Sequence, residues 1–573
     1  MRLKLRSAVM ATAVLTLVGA TSLASTHTPA VLRVGTFNGV AGTYSSVQKA
    51  VLAAQPGDWV LVGPGDYKEE GFKGMDESAG VLIETARLHL RGMNRNTVII
   101  DGTKAGAPAC SATKADQTFT KDGTNGVVAF KVDGVSIENL TTCNYLTGTN
   151  GGEGNEIWWN GGDGTGKIAM GPYSGNYITA TSTYSNGTAN PRGEYGIFVS
   201  NVRGPGIIDH SYASNMGDAA YYIGACPDCG SLLTHAHGQF SALGYSGTNS
   251  GGHLIIEHSE FDHNMSGAIS NSQNNDDAPS PESRLCPKPT EISAAGTNSC
   301  NIWRYNYYHD NNNPNVPGAG NNGLAGSAPV GSGMVLAGTE FVTVLHNRFA
   351  NNGAWGILVA DLPDQEDPPK DLPNQNCNGG ISLLPSGAPA IDPVYSGGAL
   401  CYFQAFGNDV RDNAFTDNGF FKNPGNGDIG VFGLPHNPGN CFSGNTDPAG
   451  LTATPPAAVL QSDLYACDRP SSGDLTLEGL QGNCATHGLL FPCPDTPLTH
   501  YPQTSRVTLH MSPPQPTMPN PCKGVPANPW CPGTQASSFG GLRAGVAVTG
   551  VSLAWMLLGS ALIRRQRRID LPR

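Results

Sequence analysis

Charge is what this chain has least of. Lys, Arg, Asp and Glu make up 14% of its 573 residues, against about 25% in an ordinary soluble domain. That excludes a disordered acidic or basic tail protein, which stays unfolded through high charge and low hydrophobicity. A helical bundle or a coiled coil is also excluded, because 75 Gly and 42 Pro break the chain too often for either. No basic stretch interleaved with aromatics is present, so nucleic acid is not an expected partner. What remains is a large, turn-rich, mostly β chain.

Asn is abundant, and 42 of its 45 occurrences precede residue 451. Gly and Asn both supply positive φ cheaply, so their coincidence suggests a repeated turn. Five segments carry it: Ile256–Asn264, Trp303–Asn311, Val344–Asn352, Val410–Asn418 and, with one residue fewer at its start, Ile137–Asn144. Each reads as an apolar residue, then Asn or Ser, then usually an aromatic, then Asn. Ile208, Leu232 and Ile256 follow one another at intervals of 24 residues. Short strands that alternate inward apolar and outward polar side chains, joined by bends, explain the pattern. Stacked rungs would place the Asn side chains in hydrogen-bonded ladders and the Ile, Val and Phe in one continuous core. The longer intervals must then be loops, above all the stretch from Asn311 to Gly333 and the Pro-rich insert from Leu362 to Ala399.

The two ends differ in kind. A basic start from Met1 to Arg6, the apolar run Ala8 to Ala20 and the small residues Ser22-Leu23-Ala24 predict a secretory signal peptide within residues 1–30, cut after Ala24 or Ala30. Ala544 to Ile563 is a 20-residue stretch without charge, enough to span a bilayer core of about 30 Å. Arg564-Arg565-Gln566-Arg567-Arg568 follows it, so the expectation is a single-pass helix over 544–563, a cytoplasmic tail over 564–573 and everything before it outside the cell. Between leader and membrane segment the formal charge is −19, a surface that repels polyanions unless a cation bridges. All 14 Cys lie in that same stretch, where disulfides persist. Their spacing does not determine the pairing. Cys226-Pro-Asp-Cys229 with His235 and His237 has some zinc-like spacing, but no second Cys pair follows, which favours a disulfide. Asn becomes rare after residue 450, and nine Pro fall between Pro502 and Pro532. Residues 451–500 therefore read as a Cys-containing tail, and 501–543 as an extended stalk.

The start of the repeat region is distinctive. Ser45 to Ala54 predicts a Ser-capped helix placed to cover the first rung; Trp59–Val62, the turn Gly63–Tyr67, Leu88–Gly92 and Val98–Gly102 follow. This resembles the opening of pectin-lyase-like right-handed β-helix proteins, including the periplasmic NosD-type group, and the likeness extends to about residue 447. The resemblance implies an all-β, right-handed parallel β-helix solenoid over residues 31–450. It also implies a carbohydrate polymer as partner, bound or modified by lyase, hydrolase or epimerase chemistry, with Ca²⁺ as a cofactor some such sites use. Metal delivery of the NosD kind would call for a Met/His-rich copper site, and the sequence has none.

Several residue groups are candidates for chemistry. Ile207-Ile-Asp209-His210, followed by Asp218, looks like the Ile-Asp-His strand of pectate lyases, although no Arg-rich segment follows it. His210, His258 and His346 share a column before the turn, where polar residues stacking at a corner are the alternative reading. Asp276-Asp277 is an adjacent carboxylate pair able to share a proton or hold a metal, or simply to solvate a turn. His309-Asp310 opens an Asn-rich loop. Trp158-Trp159 would form a stacking platform for a sugar ring, or be buried against the solenoid. The expected function is a cell-surface β-helix protein that binds or modifies a polysaccharide; the alternative is a non-catalytic structural or adhesive rod.

Overall fold

A computed structural model describes residues 27–533, apart from 70–71, 74–77, 163–169, 274–298, 365–376, 378–380, 384–399, 434–438, 467, 471–472, 474–476, 487–492 and 495–498. The signal peptide up to residue 26, the membrane helix, the cytoplasmic tail and the Asp276-Asp277 pair all lie outside the described residues. No helix among the described residues is long and apolar enough to cross a membrane.

Each turn of the chain contributes three short strands. One coil runs Gly206–Asp209, Tyr212–Ser214 and Ala219–Gly224. The next runs Ser231–Thr234, His237–Gln239 and Leu243–Thr248, and the one after it Leu254–Glu257, Glu260–Asp262 and Ser266–Asn271. Equivalent strands pair in parallel from coil to coil, building sheets of 12, 10 and 12 strands among the described residues, here named A, B and C in the order the coil visits them. This is the expected parallel β-helix.

The rung pattern read from the sequence is realised atom by atom. Ile256, Trp303, Val344 and Val410 pair in register and point inward. Phe261, Tyr308, Phe349 and Phe415 form a second inward column, with ring centroids 5.4, 4.9 and 5.1 Å apart. Between these columns the buried Asn side chains form ladders. In the run Asn306, Asn347, Asn413 and Asn445, each Asn after the first accepts from the backbone and side-chain amides of the one before it, and Asn264, Asn311, Asn352 and Asn418 repeat the arrangement at the next corner. The Asn side chains thereby satisfy bends that no sheet covers.

One register differs from the sequence expectation. Ile208 pairs with Leu233, which pairs with Ile256, so the intervals alternate around 24 and Leu232 faces outward. A strand's period of two makes such a one-residue shift decisive for which face a side chain occupies.

Both ends are covered. The helix Val47–Ala53, capped by Ser46, buries Val47, Ala50 and Val51 in the main core. Gln48 hydrogen-bonds both backbone groups of Leu82 on the first long strand of sheet C. At the far end Gln461 does the same for Asn445, while Leu460 and Tyr465 close the core, so the solenoid draws on residues beyond 450. The insert between Leu362 and Phe403 contains a three-stranded antiparallel sheet, pinned by Cys377–Cys401.

The Pro-rich segment is extended as expected, but it does not stand away from the solenoid. From 501 to 531 it lies back along the coils as a strap. Asn315, Asn215, Asn96 and Asn139 bond its backbone or side chains in turn; Arg95 and Arg91 bind its carbonyls. Pro removes backbone donors and favours extension, and corner Asn side chains supply donors and acceptors to such a chain.

Candidate functional site

Apart from the four-residue Val98–Asp101, the strands of sheet B have three residues, so only the middle residue of each enters the core and the two flanking residues face out. Register stacks these outward residues in two columns. Tyr212, His237, Glu260, Tyr307 and Arg348 form one; Ser214, Gln239, Asp262, His309 and Ala350 form the other. The result is a dense patch of titratable groups on one face of an otherwise charge-poor chain.

Asp262 is its centre. The carboxylate is 3% exposed and accepts from His237 Nε2 at 2.5 Å, from Gln239 Nε2 at 2.7 Å and from His263 Nδ1. Burial alone would raise its pKa, but the bonds from His237, His263 and Gln239 outweigh that and hold the carboxyl well below the usual range. On the next rung His309 bridges two acids, with Nε2 2.9 Å from Glu260 Oε1 and Nδ1 2.7 Å from Asp310 Oδ2. The bond from His309 lowers Glu260. Burial pulls the His309 pKa down, yet Glu260 and Asp310 raise it on balance, and the Asp262 bond raises His263. Tyr307 stacks on His309 at 4.0 Å, and the Arg348 guanidinium lies 4.4 Å over the Tyr307 ring.

The strap bounds this patch. His510 stacks on Phe240 at 3.9 Å and exchanges backbone hydrogen bonds with the side chain of Asn215. Burial and the nearby His263 lower the pKa of His510. Farther along sheet B, Arg348 is exposed.

Of the sequence candidates, His309 and Asp310 belong to this site; the loop reading fits Asp310, while His309 is on a strand. Asp209 and His210 do not belong to it. They lie at the corner between sheets A and B, where Asp209 Oδ1 is 2.7 Å from His210 Nδ1 and 3.1 Å from His235 Nδ1. Asp218 is parted from them by the strand Tyr212–Ser214. Its Oδ2 accepts from Tyr195 at 2.8 Å, and it lines a 400 Å³ cavity with Leu243, Ile269, Val335 and Leu358. Trp159 is fully buried beside Tyr173, so it offers no platform: its alternating position on the strand Ile157–Asn160 points it inward. Trp158 points outward and stacks on Phe198 at 4.8 Å, which occupies one face of its ring. Cys226 and Cys229 form a disulfide.

Gln239, Glu260, Asp262, His263, Tyr307 and Arg348 escaped the sequence reading, and His237 entered it only beside the Cys226–Cys229 pair. Their signal is the flanks of the inward column, as in Glu260-Phe261-Asp262 and Tyr307-Tyr308-His309, which become neighbours only once the rungs are in register. Among the described residues, the groups able to hold a metal through three His, Cys or acidic side chains are Asp101 with Cys110 and Cys143, Asp209 with His210 and His235, and His237 with Glu260 and Asp262. The two cysteines of the first are joined in a disulfide. Neither of the others is the all-oxygen set that Ca²⁺ takes.

No family model matches the sequence, and no curated protein matches it. Among solved structures, the chain is similar to the A-module of mannuronan C-5 epimerase AlgE4 from Azotobacter vinelandii, with 14% identity, 70% of this chain and 91% of that chain covered and a TM-score of 0.39. The AlgE6 A-module from the same organism gives 12%, 70%, 94% and 0.40. Pectin methylesterase PemA from Erwinia chrysanthemi gives 12%, 59%, 83% and 0.29.

Proposed function

We propose that this protein binds an anionic carbohydrate polymer along the outer face of sheet B and moves a proton at a carbon next to a sugar carboxylate, as a lyase or an epimerase does. One observation carries the reading: the buried Asp262 carboxylate holds two imidazoles, one rung from a third imidazole bridged by Glu260 and Asp310.

The protonation states favour this chemistry over hydrolysis. A glycosidase needs one carboxyl that stays protonated near neutral pH, whereas both Asp262 and Glu260 are held toward the ionised form. The His263 and His309 imidazoles, raised toward protonation, serve two ends: they neutralise a uronate carboxylate, and with Tyr307 they supply groups able to take and return a proton. Arg348 adds a fixed positive charge beside these imidazoles, a local attraction for the polymer on a chain whose net negative charge elsewhere repels it. Parallel rungs suit a polymer because equivalent positions repeat along the axis at about 4.8 Å, close to the length of one sugar unit. Display outside the cell on a membrane anchor is part of the proposal and rests on the hydrophobic segments at the two ends.

The test is incubation of the full-length protein in D₂O with a panel of uronate polysaccharides. Nuclear magnetic resonance then follows deuterium at the carbon bearing the carboxylate, and ultraviolet absorbance follows unsaturated ends. Deuterium incorporation that falls by about 10²–10⁴ in His309→Gln and Asp262→Asn supports the reading. Binding without exchange or cleavage on every polymer would establish the adhesive alternative instead.

A further inference from the structure

Six rings stack along the corner between sheets A and B: Tyr177, His210, His235, His258, Tyr305 and His346, with centroids 4.7 to 5.8 Å apart and planes within 24° of parallel. At one level of this column a carboxylate joins two imidazoles. Asp209 Oδ1 lies 2.7 Å from His210 Nδ1 and 3.1 Å from His235 Nδ1. Elsewhere in the column the match is poorer: His258 Nδ1 is 3.8 Å from Glu257.

We propose that Asp209, His210 and His235 form a binding site for a divalent cation of the zinc type. Two imidazole nitrogens and one carboxylate oxygen suit Zn²⁺, Cu²⁺ or Ni²⁺. Ligand atoms about 2.0–2.2 Å from a tetrahedral zinc ion stand about 3.3 Å from one another. The two oxygen–nitrogen separations therefore need to open by about 0.6 and 0.2 Å, and all three ligand atoms already lie within 4.8 Å of one another. His235 Nδ1 is hydrogen-bonded to Asp209 Oδ1, and His210 Nδ1 lies beside the same oxygen without a hydrogen-bond partner, so a cation between them supplies His210 Nδ1 with the partner it lacks.

The backbone prepares the set. His210 and His235 occupy equivalent corners with φ of 50° and 47°, and Asp209 ends a strand paired on both sides. Arg95 Nη1 holds the His210 carbonyl at 3.1 Å. Ligands carried on successive rungs keep their spacing through the sheet, as a preorganised site requires. The His235 side chain is 54% exposed while His210 Nδ1 is buried, so water or an oxygen of a bound molecule reaches the site from the His235 side. The pair joins this level of the ladder to the edge of sheet B, since His235 precedes His237 by two residues.

The experiment uses the full-length protein, stripped with a chelator and titrated with ZnCl₂ by calorimetry, with Cu²⁺ as a paramagnetic probe. Asp209→Asn and His235→Asn, the latter chosen because Asn accepts positive φ, should each weaken zinc binding by about tenfold or more. His346→Asn, at the far end of the same column, should bind as the unaltered protein does. The copper spectrum should show two coupled imidazole nitrogens, falling to one in His235→Asn. Circular dichroism melts establish that each variant is folded. The proposal fails if the unaltered protein takes up no zinc, if His235→Asn binds zinc and couples nitrogen unchanged, or if His237→Gln or His346→Asn abolishes binding while His235→Asn does not.

Discussion

Asn347 is buried and uses both ends of its amide. Its Nδ2 donates to the Trp303 carbonyl and to Asn413, and its Oδ1 receives two bonds from Asn306. Asn347→Ala strands these partners without water, so it should lower unfolding free energy by about 2–4 kcal/mol, read from the denaturant midpoint. The tryptophan pair separates by the same logic of facing. Trp159→Ala should cost about 3–5 kcal/mol, whereas Trp158→Ala, which removes a partly exposed ring, should cost less than half as much in the same measurement. Protonation at the sheet B site gives a third expectation. His263 and His309 have raised pKa values, so the stability they lend is complete below about pH 6.5 and is lost as pH rises through their folded values. Asp262 has a lowered pKa, so its contribution is present above about pH 3.9 and is lost as pH falls through its folded value. Both contributions overlap between about pH 4 and 6.5. Asp262→Asn should therefore flatten the decline in melting temperature above that window, and an unchanged slope would show that the site does not couple to folding.

At the scale of elements, the strap sits where a stalk was expected. Composition identified an extended, Pro-rich segment, and the structure is extended there. Composition is silent on whether such a chain finds partners, and here the corner Asn residues and Arg95 provide them. Arg95 is 2% exposed and binds Thr179, the carbonyls of Ile178 and His210, and the strap at Pro516 and Thr517. Arg95→Met should loosen the strap, raising tryptic cleavage after Arg506 or Lys523 by about tenfold or more, equivalent to ~1.4 kcal/mol of easier local opening. Equal cleavage rates in the two proteins would mean that the strap is held independently of Arg95. Sheet B makes the complementary point. Each strand's apolar centre was legible as part of the repeat, while its polar flanks looked like ordinary solvated positions. His237 and Asp262 are 25 residues apart in sequence, and Glu260 and His309 are 49 apart. Nothing local marks them as partners.

At the scale of the molecule, stability is shared between neighbouring coils rather than concentrated in cross-links. The described disulfides enclose 33, 3, 24, 9 and 9 residues, so none of them joins distant coils. Loop-closure entropy makes Cys110–Cys143 the largest contributor, at about 3–4 kcal/mol. Full reduction should lower the melting temperature yet leave the strand signal in circular dichroism at ambient temperature. Loss of that signal on reduction would show that the solenoid depends on its cross-links. The sequence by itself determined the parallel solenoid, the Asn ladders, the inward aromatic column and the helix over its first rung, because each follows from local periodicity and turn chemistry repeated along the chain. Only the tertiary structure decided the register of Leu233, the burial of Trp159, the path of the strap and the meeting of His237, Asp262 and His309. These depend on which residue of one coil lies over which residue of the next, and a shift of one position, invisible in composition and almost invisible in spacing, turns a side chain from the core to the surface.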